Sequence, residues 1–147
     1  MNSVCPVSWL CLGHFAATWG MVGVIWFVQI VHYPLFDQVS QTDFSTYETR
    51  HRDLTTLVVL PLMLTELATA IVLAFSSRGS RDPWPWVGLG ILATIWMSTF
   101  LVQVPLHEEL SSGFDPEKHS ALVGTNWWRT GAWTFRGGIA MIMARSR

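Results

Sequence analysis

Four of the five histidines stand near the ends of long apolar segments: His32, His51, His107 and His119. Each comes from a different segment, so a closed helical bundle would gather them at one mouth. Neutral imidazole binds zinc, copper, iron and nickel well, and three or four donors of this kind suffice for a metal site. Glu48 precedes His51 by one helical turn, and Glu-x-x-His is the pairing that di-metal carboxylate bundles use. A competing reading of Glu48 is purely local, because Ser45-Thr46-Tyr47-Glu48 fits a capping box. Glu108 and Glu109 stand close enough in the chain to join the set. The expected metal ligands are therefore His32, Glu48, His51, His107 and His119, with copper, iron or zinc as the implied cofactor. Haem fits less well: only His14 lies deep in a segment, with Met141 or Met143 as its axial partner.

The elements that must position these groups are membrane-type helices. The chain has 147 residues, half of them apolar, with 9 Trp and only 13% charged residues, about half the charged fraction of a soluble domain. One domain, residues 1–147, is expected, with apolar spans at about 9–36, 54–75, 84–106 and 126–144. Segments of about 20 apolar residues cross a hydrocarbon core of ~30 Å. Short helices are expected at about 43–53 and 115–123, the second started by Asp115 as N-cap and Pro116 in the first turn. The implied fold class is all-α: an integral membrane four-helix bundle. Trp84, Trp86, Trp127 and Trp128 occupy positions suited to an interfacial aromatic belt. The first segment lacks a basic leader and outlasts a signal peptide's apolar run, which marks it as a retained helix. Cys5 and Cys11, six residues apart, would face different ways on a helix, so no disulfide is expected between them.

Connections 37–53 and 107–125 fall on one side with the histidines, while both termini and the 76–83 turn fall on the other. The termini side carries Arg78, Arg81, Arg145 and Arg147; the histidine side carries Arg50, Arg52, Lys118 and Arg129. The first set is almost free of neighbouring acids, which places both termini in the cytoplasm. The halves also read as a duplication into two helical hairpins. Val28-Gln29-Ile30 with Pro34-Leu35 parallels Val102-Gln103-Val104 with Pro105-Leu106.

Polar residues inside a span are costly, so their helical angle carries information. Span one aligns His14, Thr18, Met21, Ile25 and His32, with Gln29 at the edge. Span two aligns His51, Thr55, Leu62, Glu66 and Thr69, provided Pro61 does not rotate the later turns. Span three aligns Trp96, Thr99, Gln103 and His107; span four aligns Asn126, Arg129, Trp133, Arg136 and Ala140. All four stripes are expected to face inward. Glu66 and Arg136 fall at similar depth near the midplane, where an unpaired charge costs several kcal/mol, so they are expected to pair. Glu66, Arg129 and Arg136 are the candidate catalytic residues, lining a cavity below the histidines and moving protons or orienting substrate.

Val31-His32-Tyr33-Pro34-Leu35-Phe36, Pro105-Leu106-His107, Thr125-Asn126-Trp127-Trp128-Arg129-Thr130 and Ala132-Trp133-Thr134-Phe135-Arg136-Gly137 resemble a group of small bacterial four-span membrane proteins of unassigned function. That resemblance spans nearly the whole chain and implies a bacterial inner membrane. More distantly, the four-helix layout and the aromatic-Pro end of span one resemble the anthrone-oxygenase-like membrane family. This implies oxygenase or redox chemistry, with no catalytic motif residue matched between the two.

The leading expectation is a membrane-embedded metal-dependent oxidoreductase or oxygenase. A second is a non-enzymatic accessory or assembly subunit of a larger membrane complex, using the Trp-rich surface. A third is a small transporter built on the Glu66–Arg136 pair. The expected partners are the lipid bilayer, other membrane subunits and a second copy of the chain. A net charge of -1 without a basic run gives no reason to expect nucleic acid. No phosphate loop, nucleophile elbow or zinc-protease motif occurs, so nucleotide and hydrolase chemistry are unsupported.

Overall fold

A computed structural model describes residues 9–77 and 81–145. Cys5, Arg78 and Arg147 lie outside the described residues. The described chain is helical, with no strand. Helix α1, Trp9–Phe27, runs into a π-helical turn, Val28–His32, and a short 3-10 helix, Pro34–Gln38. Helix α2 spans Phe44–Ser76 and α3 spans Trp84–Ser98. A second π-helical turn, Thr99–Gln103, joins α3 to α4, Val104–Leu110, and α5 spans Pro116–Arg145.

These elements make four long rods in a ring: α1 packs against α2 and α5, and α3 packs against the same two. Three of the rods, Trp9–Gln38, Phe44–Ser76 and Trp84–Leu110, are long and apolar enough to cross a membrane. The fourth, α5, is as long but carries Arg129 and Arg136 on its buried face.

Two short helices expected as separate pieces are the first turns of longer rods. Residues 44–53 continue without a break into the rest of α2, and residues 116–123 continue into α5. Pro61 does not interrupt α2, and Glu66 beyond it stays on the same buried side as His51. The expected capping box is not formed. Asp43 is the N-cap without a side-chain bond, and Ser45 donates its hydroxyl to the Ser111 carbonyl. Asp115 does cap α5, accepting from the Glu117 and Lys118 amides at 2.8 and 3.2 Å. Lys118 is ion-paired with Glu109 across the intervening loop, and that carboxylate holds its amine above the ordinary lysine range.

Both π-helical turns have a local cause. Proline has no N–H and crowds the preceding turn, so the ladder ahead of it must rearrange. Val28 and Thr99 each stand six residues before the proline of a Pro-Leu pair, and each accepts an i+5 bond, from the amides of Tyr33 and Val104. The two turns match when the halves are aligned on the prolines, an alignment that pairs Gln29 with Phe100 and not with Gln103 as the expected duplication had it. Each turn inserts one extra residue, which rotates the rest of its rod by about 100°. Before the first turn, His14, Thr18, Met21 and Ile25 are buried as expected. After it, Gln29, Tyr33 and Phe36 point inward and His32 is only partly buried.

The core fills from these inward faces. Met21, Ile25, Met63, Leu92, Ile95 and Trp133 form its centre. Around the histidines, Phe36, Phe44, Leu110 and Leu122 form a second cluster with no exposed surface. Helix α5 approaches α1 closely at Gly137, where a Cβ would stand 3.3 Å from both Trp19 Cζ2 and Val22 Cγ2.

At the centre, Arg136 donates through Nε and Nη2 to Glu66 Oε1 at 2.9 and 2.7 Å, and Thr18 donates to the same oxygen at 2.8 Å. Arg136 Nη1 also donates to the Gly88 carbonyl. The expected pair thus exists and ties together α1, α2, α3 and α5. Removing one partner strands a buried charge, at about 3–5 kcal/mol, whereas removing both does not. Glu66→Leu and Arg136→Leu are each expected to lower unfolding stability in detergent by about 3 kcal/mol or more. The double variant should regain most of that loss, and a strictly additive double variant would show that the pair is not coupled.

Candidate metal centre

The first turns of α2 supply Glu48 and His51 one turn apart, and α4 brings His107 against them. Donor atoms of Glu48, His51 and His107 all lie within 4.8 Å of one another. Glu48 is fully buried and His51 is 9% exposed. His107 Nδ1 donates to Glu48 Oε1 at 2.6 Å, and its Nε2 meets the Tyr33 hydroxyl at 2.8 Å. A carboxylate accepts at Nδ1, so in the neutral imidazole Nε2 is the acceptor and Tyr33 the donor. Glu48 Oε2 is buried with no hydrogen-bond partner.

His51 is held through one nitrogen only. Its Nδ1 lies 2.8 Å from His32 Nε2 and 3.0 Å from the Thr55 hydroxyl. Its Nε2 makes no hydrogen bond among the described residues, the arrangement that metal-ligating histidines use, with one nitrogen anchored and the other available. His32 packs on His51 with ring centroids 4.5 Å apart and on Phe36 at 5.2 Å. Its place is behind His51, as an orienting residue.

The expected five-residue set therefore divides. Glu48, His51 and His107 converge, and His32 supports His51. His119 stands apart from the three: its Nε2 meets the Tyr33 carbonyl at 2.7 Å, and its ring stacks on Phe36 with centroids 6.0 Å apart. Its donor atoms are not among those that converge with Glu48, His51 and His107. Glu108 and Glu109 are both exposed and turned away. The haem reading at His14 fails on space. His14 Nδ1 is bonded to the Thr69 hydroxyl at 2.9 Å, and the cavity beside it holds about 10 Å³, far too little for a macrocycle.

Below the three converging groups lies a cavity of about 230 Å³ between α1, α2, the α3–α4 rod and α5. Tyr33, Thr55 and His107 form its end nearest the histidines, and Gln103 and Arg129 line it further on. Of the three expected catalytic residues, only Arg129 lines this cavity. Glu66 and Arg136 do not line it and are bonded to each other.

Tyr33 is the residue that helical periodicity misses. A regular helix carrying His32 inward would turn Tyr33 aside; the π-helical turn reverses that. No known protein family, curated protein or solved structure matches the chain.

Replacing Tyr33 by Phe removes the hydroxyl that bonds His107 and faces Arg129 while keeping the ring packing on Phe36. The expected cost is about 1 kcal/mol of unfolding stability in detergent. His107→Leu should cost more, since it strands the Glu48 carboxylate. Equal losses in the two variants would contradict the bonding order described for His107.

Proposed function

We propose that the protein is an integral membrane four-helix bundle holding a transition metal at Glu48, His51 and His107, and that it is a metal-dependent oxidoreductase of the oxygenase type. The observation that carries this reading is the convergence of two imidazoles and one carboxylate in a largely buried site. Two histidines and one carboxylate are the ligand set of non-haem iron(II) oxygenases, which keep further coordination positions open for reactants. Among copper, iron and zinc, the same set also suits zinc, and iron is the metal that the oxygenase reading requires.

The neighbouring groups support the same reading. Thr55 and His32 fix the His51 ring through Nδ1. Metal in place of the proton between Glu48 and His107 would turn His107 Nε2–H towards the Tyr33 oxygen, so Tyr33 orients that ring in either state. The cavity reaches His107 directly, so a small molecule held there would lie beside one of the three residues that would hold the metal.

Helix α5 crosses the membrane as the fourth span in this reading, its two buried arginines facing the other three rods while Trp127, Trp128 and Phe135 face lipid. Both termini lie in the cytoplasm and the histidine mouth opens on the opposite face. The bilayer is the partner of the apolar outer surface.

Metal content of the purified protein tests this reading. Anaerobic loading with iron(II), followed by desalting and elemental analysis, is expected to give about one metal per chain. His51→Ala, His107→Ala and Glu48→Gln should each fall to a small fraction of that, while His119→Ala retains it. A wild-type chain that stays folded and metal-free after loading with iron, copper or zinc would overturn the proposal.

A further inference from the structure

The cavity between α1, α2, the α3–α4 rod and α5 holds three buried polar atoms with no hydrogen-bond partner: Arg129 Nε, Trp96 Nε1 and Gln103 Oε1. Buried polar groups are nearly always paired, so three lining one cavity are informative. Two are donors and one is an acceptor. The amide orientation of Gln103 is set by its network. Thr125 donates its own hydroxyl to the Ala121 carbonyl at 2.6 Å, so its oxygen accepts from Gln103 Nε2 at 2.8 Å. The Gln103 carbonyl oxygen is thereby left over.

Arg129 adds a charge argument. It is 6% exposed, its Nη1 donates to Asn126 Oδ1 at 2.9 Å, its guanidinium also faces the Tyr33 hydroxyl, and no carboxylate lies within ion-pairing distance among the described residues. Arg136, seven residues on, has Glu66; Arg129 has no equivalent. A buried cation without a counter-ion in an apolar setting is costly, and an anion supplied from outside would offset it.

The remainder of the wall is apolar, with Met21, Ile25, Val59, Met63 and Phe100 among its residues. At about 230 Å³, the space exceeds the ~150 Å³ apolar cavity that accommodates benzene. Its opening runs between α2 and the second π-helical turn, past Thr56, Leu60, Phe100 and Val104, all exposed on the outer surface that faces lipid. A ligand would enter from the bilayer, apolar part trailing.

We infer that this cavity binds a small lipophilic anion: one ring or a short chain bearing a carboxylate or enolate oxygen for Arg129 and Trp96, and a hydroxyl that donates to Gln103. As the substrate of the metal centre, this ligand rests on the function proposed above. As a ligand of the cavity, it requires no metal, because none of the three polar atoms belongs to the ligand set.

The test is therefore run on protein kept metal-free with chelator, reconstituted in lipid nanodiscs, with empty nanodiscs as the partition control. The probes are 3-hydroxybenzoate, 4-hydroxybenzoate and benzoate, each measured by equilibrium dialysis. At least one hydroxybenzoate is expected to bind saturably and more tightly than benzoate. Arg129→Gln should weaken binding of both classes by about tenfold or more, the scale of a charged hydrogen bond. Gln103→Leu should remove the advantage of the hydroxyl, and Thr56→Trp should block the opening. Each variant is checked for helical content and monodispersity. If Arg129→Gln does not fold, Gln103→Leu and Thr56→Trp decide the matter. No saturable binding above the empty nanodiscs, or unchanged affinities in the folded variants, would overturn the inference. A chain that binds hydroxybenzoate yet takes up no metal would separate this site from the metal reading.

Discussion

The fold depends on the burial of one ion pair. Glu66 and Arg136 sit where neither can be hydrated, so each makes the other's position obligatory. Thr18 and the Gly88 carbonyl add to the cluster, which leaves Glu66 Oε2 without a partner but brings all four rods to a single polar point. Apolar faces in lipid have little to distinguish one rotation from another, because the surroundings are as apolar as the neighbours. A buried charge pair with fixed geometry supplies the missing discrimination. Once α2 and α5 are set by it, the rotation of α2 determines where Glu48 and His51 point, and α5 determines where Arg129 points.

Much of this was legible from residue type and spacing. A charged residue at mid-depth needs a partner, so Glu66 and Arg136 identified each other. The stripes through Thr18, Met21 and Ile25, and through Asn126, Arg129, Trp133 and Arg136, came from a regular 100° step, and those residues are buried. Glu48 and His51 declared themselves through their Glu-x-x-His spacing. The features that escaped detection lie beyond the π-helical turns. A single extra residue resets the angle, so Tyr33 and Phe36 turned inward where the wheel had placed His32. His119 was grouped with the other histidines because chain position gives depth but not direction. Its nitrogen reaches a backbone carbonyl, which no side-chain pattern announces.

The cavity was the least legible feature. Its walls come from four separate rods, and its emptiness depends on how their side chains fail to fill the space between them. Gln103 and Trp96 were correctly placed on the inner stripe of their span. That their polar atoms lack partners is a property of packing alone. The second π-helical turn contributes directly, since Thr99, Phe100 and Gln103 all line the cavity. The two matched turns thus serve different ends in the two halves: one presents Tyr33 to the histidines, the other shapes the wall beneath them.

Helix α2 runs unbroken from Phe44 to Ser76, and it carries both Glu48 and Glu66. Their separation corresponds to roughly five whole turns of α-helix, so the two carboxylates project from the same side of a single stiff rod. One end is anchored in the buried clasp and the other presents donors at the mouth. Any twist of that rod is shared by both ends, as with a key whose bow and bit cannot turn independently. The precision of the mouth is therefore inherited from the membrane interior, and sequence changes deep among the helices would be felt as altered alignment among Glu48, His51 and His107.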